Sequence, residues 1–298
     1  MLNPFTPKRS GSSSLNINAD VFNEKYNIAP FVIRHNLHLH PLMQLDALAK
    51  LALRLPARQI THRQGVVEQT ADFDRAHLQK PMRQSLAESF ANLPEAGAQI
   101  CINYPETDPE YGALIKSVYD EIAFHTAPFK SQISWYATHI FIASPGTITP
   151  YHTDRVINFL MHLHGPKRVK LWDKNVMSQS EIERLFGSWH SRRPEYRDEL
   201  QQLASTFNLS PGDGLHHPFL APHLIDTGTE VSVSIAMTYR TADIDRVIRL
   251  NKVNYQMRKI GLNPVAVGTS ASRDLLKDFT IGRAFALRHR LSQHERAY

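Results

Sequence analysis

The chain has 298 residues, 42% hydrophobic and 21% charged, with 34 basic against 28 acidic side chains and a net charge of +6. This balance excludes a disordered chain, and the mild basic excess comes with no basic run or RNA-binding fingerprint, so nucleic acid is not an expected partner. The single cysteine excludes an internal disulfide and fits a reducing compartment. No run approaches 18 apolar residues and no apolar segment opens the chain, so a membrane is not expected and cytoplasmic residence is.

In chain order, residues 1–30 read as an N-terminal extension, loose over the Pro/Ser-rich residues 1–16. His35, His38 and His40 alternate in an extended segment but lack a carboxylate at matching spacing, so they read as ordinary histidines. Leu45, Leu48, Leu51 and Leu53 predict a helix stopped by Pro56. Asp108-Pro109-Glu110 is a capping signal for a second helix carrying Leu114, Ile115, Val118, Tyr119 and Ile122 on its apolar positions.

Thr138–Ser144 reads as a strand, and Pro145-Gly146 as a turn. From Val156 to Leu163 the residues alternate with period 2. If that strand ran unbroken from His152, then His152, Asp154, Val156, Asn158 and Leu160 would share one face, with His162 and His164 further along it. On the following strand Lys167, Val169 and Leu171 alternate with Arg168, Lys170 and Trp172. The second set carries two cations and is expected to meet solvent, which turns Lys167 inward.

Ser178–Phe186 and Glu195–Phe207 predict helices in an insert at about 178–207. A tight turn over Leu209–Gly214 leads into His216 and His217, and the residues from Val231 to Thr238 alternate as a half-polar strand. Past Tyr239 the composition turns helical, with Ile244, Val247, Ile248 and Val253, then Leu275, Leu276, Phe279, Phe285 and Leu287, interrupted at Asn263-Pro264. A domain over 31–242 and a helical region over 243–298 are therefore expected.

The segment Thr149-Pro150-Tyr151-His152-Thr153-Asp154 carries a His-x-Asp pair. With 16 histidines in the chain, one such pair arises by chance. Its weight comes from its strand-and-turn setting and from His223, which lies 69 positions after Asp154. Two imidazoles and a carboxylate on one face of a metal form the facial triad of non-heme iron sites, leaving open positions for other ligands. His216, His217 and His223 compete for the distal place. His223 is favoured because it stands just before a strand and can face across a barrel.

Residues 138–172 and 209–239, about 65 of the 298, resemble the JmjC-type (cupin-like) 2-oxoglutarate oxygenases, most nearly the asparaginyl hydroxylases of hypoxia-inducible factor. The shared elements are Gly146 through Asp154, Asn158-Phe159, Gly165-Pro166-Lys167-Arg168, Pro211-Gly212-Asp213 and His223. The resemblance implies a mainly β fold with flanking helices around a double-stranded β-helix (jelly-roll, cupin) core. It implies Fe(II) on His152, Asp154 and His223, and 2-oxoglutarate and O2 as cosubstrates. It implies that Lys167 pairs with the far carboxylate of 2-oxoglutarate, that Thr149 donates to the same group and that Asn158 lies near it. A buried dianion also needs a cationic partner on physical grounds.

An upstream strand at Ala98–Asn103 would place Cys101 towards the cosubstrate with Asn103 beside it. The chain departs from the family pattern at Ala221-Pro222, where an aromatic residue commonly precedes the distal histidine, and at Ala236, where the asparaginyl hydroxylases have a polar amide. The resulting expectation is an Fe(II)- and 2-oxoglutarate-dependent dioxygenase that hydroxylates a C–H bond of a peptide or protein side chain. The alternatives are a hydroxylase of a small-molecule metabolite, a metal-dependent isomerase or hydrolase, and a non-enzymatic cupin-type metal-binding module. A homodimer built by the region after Tyr239 is expected. Arg192, Arg193 and Arg197 in the insert would favour an acidic partner.

Overall fold

A computed structural model describes residues 5–7, 13–69, 71, 82–129, 132–187 and 194–279. Its strands are β1 (Leu15–Asn16), β2 (Phe31–His35), β3 (Ile60–Gln64), β4 (Ala98–Asn103), β5 (Ile133–Ala143), β6 (Ile148–His152), β7 (Ile157–His164), β8 (Lys167–Leu171), β9 (Ser205–Leu209), β10 (Asp213–His217), β11 (His223–Thr227) and β12 (Ser232–Thr241). They form two antiparallel sheets, an eight-stranded one in the order β1-β2-β10-β7-β12-β5-β4-β3 and a four-stranded one in the order β6-β11-β8-β9.

The two sheets enclose a small apolar cluster to which both contribute. Leu160, Leu215 and Ala236 come from the large sheet, and Val169, Leu171 and Leu209 from the small one. The outer face of the large sheet packs on helices. Ile140, Ile142, Phe159, Met161, Ile235 and Met237 meet Phe22 of α1 (Ala19–Lys25), Leu48 and Leu51 of α2 (Leu45–Arg54), and Ile115, Val118, Tyr119 and Ile122 of α4 (Pro109–Thr126). Each such side chain, fully buried, contributes about 1.5–3 kcal/mol relative to exposure, so this double-sided burial fixes which face of β5, β7 and β12 is left for the interior. Asp108 caps α4 by accepting from the Glu110 and Tyr111 amides at 3.2 and 3.5 Å, with Pro109 at the first helical position.

The remaining helices are α3 (Leu86–Ala91), α5 (Gln179–Gly187), α6 (Ala242–Lys259) and α7 (Ala271–Lys277). Among the described residues no helix is long and apolar enough to cross a membrane.

Several sequence expectations are corrected. The strand does not run unbroken from His152 to Leu163: β6 belongs to the small sheet and β7 to the large one, and residues 153–156 carry the chain between them. The segment expected to be loose contributes Phe5, stacked on Tyr119 at 4.7 Å, and Leu15, both in the main core. The stretch Glu195–Phe207 is not a helix. It makes a short 3-10 turn over Asp198–Leu203 and then enters β9, because Thr206 and Phe207 can pair with the open edge of β8.

Trp172 does not meet solvent with Arg168 and Lys170. It is buried with Tyr151, Leu200 and Leu224, and its indole donates to the Leu200 carbonyl at 2.6 Å. His162 is buried and bonds to Ser234 and the Gly165 carbonyl, outside the cavity lining. Met1–Pro4, Lys8–Ser12, Arg192, Arg193, Phe285 and Leu287 lie outside the described residues.

Candidate active site

Between the sheets lies a cavity of about 560 Å³. The small sheet lines it with Thr149 and His152 of β6, Lys167 of β8 and His223, Ile225 and Thr227 of β11. The large sheet faces these with Gln99, Cys101 and Asn103 of β4, His139 and Phe141 of β5, Asn158 and Leu160 of β7, His217 of β10 and Ala236 and Thr238 of β12. Small side chains on β12 leave the space open.

His152 and His223 are directly paired across β6 and β11, with ring centroids 4.1 Å apart. His223 is thus the first residue of β11 rather than a residue before a strand, and it meets His152 on the neighbouring strand rather than facing across the barrel. Asp154 lies just past the end of β6, where the chain leaves the small sheet, and one of its carboxylate oxygens is 3.8 Å from His223 Nε2. The ligand atoms of His152, Asp154 and His223 all lie within 4.8 Å of one another, the only such group found among the described residues.

The donor set fits a divalent metal. His152 Nδ1 is 2.8 Å from the Pro150 carbonyl and His223 Nδ1 is 3.1 Å from the Ala221 carbonyl. Carbonyl oxygens only accept, so each Nδ1 carries the proton and each Nε2 keeps its lone pair for an ion. A hydrogen bond from the far ring nitrogen fixes metal-binding histidines in this way.

Lys167 is 5% exposed, and its ammonium has neither a carboxylate partner nor a side-chain hydrogen bond among the described residues. Burial lowers its ammonium from 10.5 to about 7. An unpaired buried cation is costly, and an anion entering the cavity would relieve that cost. Thr149, half-buried, lines the same cavity and accepts from the Gln99 amide at 2.9 Å. Asn158 is buried with its Oδ1 unpartnered, and it pairs in register with His217.

Cys101 lines the cavity as expected, but its thiol turns to Asn103 Oδ1 at 3.4 Å, and burial raises it to about 12, so it is a neutral thiol. The Asn103 amide is already engaged. Its nitrogen donates to the Gln59 carbonyl at 3.0 Å and Thr61 Oγ1 at 3.3 Å, while its oxygen lies 2.9 Å from His139 Nδ1.

The other two candidate histidines part ways. His216 sits in the core beside Tyr26, Phe31 and Phe159, and its Nε2 accepts from the Asn27 amide at 3.0 Å. His217 is 2% exposed and lies edge-on to His223 at 5.0 Å, with neither ring nitrogen partnered. Burial holds it neutral.

Gln99 was not among the sequence candidates. Its signal was present: it shares a strand face with Cys101 and Asn103 and is the polar outlier in an otherwise apolar opening to β4.

No family model and no curated protein sequence matches the chain. Among solved structures, YcfD, a ribosomal oxygenase from Escherichia coli in complex with cobalt and 2-oxoglutarate, superposes with a TM-score of 0.51 and 18% identity over 86% of this chain. The same protein with cobalt and succinic acid gives a TM-score of 0.49 at 18% identity, again over 86% of this chain. The chain spans 61% of the length of that protein. At this identity the likeness concerns the fold: two antiparallel sheets closed on a central cavity, with flanking helices, make the double-stranded β-helix of the cupin type that the family resemblance implies.

Proposed function

We propose that the protein is an Fe(II)- and 2-oxoglutarate-dependent dioxygenase that hydroxylates a C–H bond. The observation that carries this reading is the presence, in one cavity, of a His-Asp-His cluster and an unpaired buried lysine. A structural or hydrolytic metal site needs the first feature and has no use for the second. A keto acid that chelates the metal and extends a second carboxylate needs both.

In this reading His152, Asp154 and His223 would hold the iron, and the chemistry supplied there would be oxidative decarboxylation of 2-oxoglutarate by O2 to succinate and CO2, with the second oxygen atom going to the substrate C–H bond as hydroxyl. Lys167 receives the far carboxylate as a charge-assisted partner, and Thr149 donates to its second oxygen. Asn158 and His217 stand alongside the bound cosubstrate with polar atoms that the protein leaves unpartnered. The neutral Cys101 thiol and the engaged Asn103 amide shape the wall of the cavity.

A peptide or protein side chain is the proposed prime substrate. Support comes from the fold shared with a protein named a ribosomal oxygenase, and from exposed Arg197 on the insert. A homodimer formed by the region over 243–298 is also proposed, on the exposed Ile260, Leu262 and Leu275. A single cysteine suits a cytoplasmic setting, which is proposed on that ground.

The test is to add Fe(II) and 2-oxoglutarate without oxygen, look for a visible charge-transfer band, and then admit oxygen and measure succinate. Absence of both would overturn the reading. Incubation with lysate then separates substrate classes, and oxygen incorporated only into small molecules would replace the peptide proposal with its metabolite alternative.

A further inference from the structure

We propose that Arg63 and Gln99 preset the Thr149 hydroxyl as a hydrogen-bond donor into the cavity, making Gln99 a positioning residue that selects a carboxylate over an amide at the far end of the ligand. This rests on the 2-oxoglutarate reading above. The chain of donors has only one consistent direction. Arg63 on β3 and Gln99 on β4 are directly paired, and Arg63 Nε lies 2.9 Å from Gln99 Oε1. A guanidinium can only donate, so the Gln99 oxygen faces Arg63 and its NH2 group must face the other way. There it lies 2.9 Å from Thr149 Oγ1, and the hydroxyl is the acceptor.

A hydroxyl that accepts from an amide has its own proton left to give. Thr149 makes no other side-chain hydrogen bond among the described residues and shares the cavity lining with Lys167. Gln99 itself is 6% exposed, so the relay is built into the wall and is not a surface contact. The approach of the strands depends on Gly65. A Cβ there would lie 2.6 Å from the Thr147 methyl and 3.1 Å from Gln99 Cβ, and the Gly65 carbonyl accepts from the Ile148 amide at 2.9 Å. That bond ties the end of β3 to the strand that carries Thr149.

The functional consequence is selectivity. Lys167 presents only donors, and a Thr149 hydroxyl that accepts from Gln99 is polarised towards giving its proton while keeping one lone pair, so a group that accepts on both sides is favoured. A carboxylate does. A terminal amide would turn its NH2 group towards the ammonium, where it is unpaired, or towards Thr149, whose proton must then swing away from the ligand. Without the relay the hydroxyl loses that polarisation and has both lone pairs open to such an NH2, so the discrimination should relax.

The experiment measures dissociation constants of 2-oxoglutarate and its 5-amide on the full chain loaded with Mn(II), by calorimetry, for the wild type, Gln99→Met, Thr149→Ala and the double variant. Gln99→Met is expected to weaken 2-oxoglutarate by roughly threefold to tenfold, the scale of one hydrogen bond, while affecting the amide less, so the ratio of the two constants contracts. In the Thr149→Ala background the same substitution should leave that ratio unchanged. Should Gln99→Met fail to fold, Arg63→Met removes the donor that fixes the amide and should contract the ratio in the same direction. Equal weakening of both ligands, or a contraction that persists in the Thr149→Ala background, would overturn the relay. A wild type that binds no 2-oxoglutarate would instead overturn the oxygenase reading on which it rests.

Discussion

His152 and His223 face each other as register partners on adjacent antiparallel strands, and each bonds its Nδ1 to the carbonyl two residues before it, Pro150 in one case and Ala221 in the other. The two imidazoles are therefore held in the same tautomer by the same local device, and both present Nε2 to the space beside Asp154. The backbone thus orients both rings before any ion arrives.

That geometry separates the three distal histidines by experiment. His223→Ala and His152→Ala should each abolish tight metal binding and 2-oxoglutarate turnover, whereas His217→Leu should hold the metal within a few fold of the wild type. Equilibrium dialysis with Co(II) or Mn(II) checks this. Metal retained by His223→Ala and lost by His217→Leu would move the distal ligand to the facing sheet.

His216 should report on stability alone. Its ring is packed among Tyr26, Phe31 and Phe159 and accepts the Asn27 amide. His216→Ala leaves a void and an unpaired, partly buried N–H, so a loss of about 2–4 kcal/mol is expected in urea unfolding. Metal affinity per folded molecule should not change.

Lys167→Ala should weaken 2-oxoglutarate by tenfold or more, since a buried charge-assisted contact is worth about 1.5–3 kcal/mol. Iron affinity should stay within a few fold. Calorimetry with each ligand separates the two effects, and an unchanged 2-oxoglutarate affinity would remove the main support for the cosubstrate.

The same lysine predicts a pH dependence. In the free protein its ammonium is lowered to about 7, so above that pH it is largely neutral. A bound carboxylate favours the ammonium and raises it again, so binding takes up a proton. Affinity should fall as pH rises from 7 to 9, by up to about tenfold per pH unit, and binding heats should depend on the buffer. Lys167→Arg, which stays protonated, should flatten the profile. For the ligand-free protein the sign is opposite in kind: the unfolded chain holds this proton up to its ordinary 10.5, so folding stability gains from this group as pH rises through that window.

A homodimer would show in sedimentation of the full chain. Ile260, Leu262 and Leu275 are 76%, 51% and 64% exposed, and replacing all three with glutamate should shift the protein to monomer without loss of metal binding. A wild type that sediments as monomer at high micromolar concentration would refute this proposal.

The sequence by itself determined the alternation of β7, β8 and β12, the placement of the capped helix behind Asp108, and the residue types of the His-x-Asp segment, because alternation and capping are local and leave a one-dimensional trace. It also indicated the inward turn of Lys167, through the two cations on the opposite face of its strand. The tertiary structure decided what depends on which strands meet. Only the crossing of residues 153–156 from one sheet to the other puts Asp154 beside two histidines that are register partners. Only the pairing of β9 with the open edge of β8 shows that the segment ending at Phe207 is a strand. Gln99 acquires its role solely from the approach of Arg63 and Thr149, 36 and 50 residues away along the chain, and local pattern carries no record of such contacts.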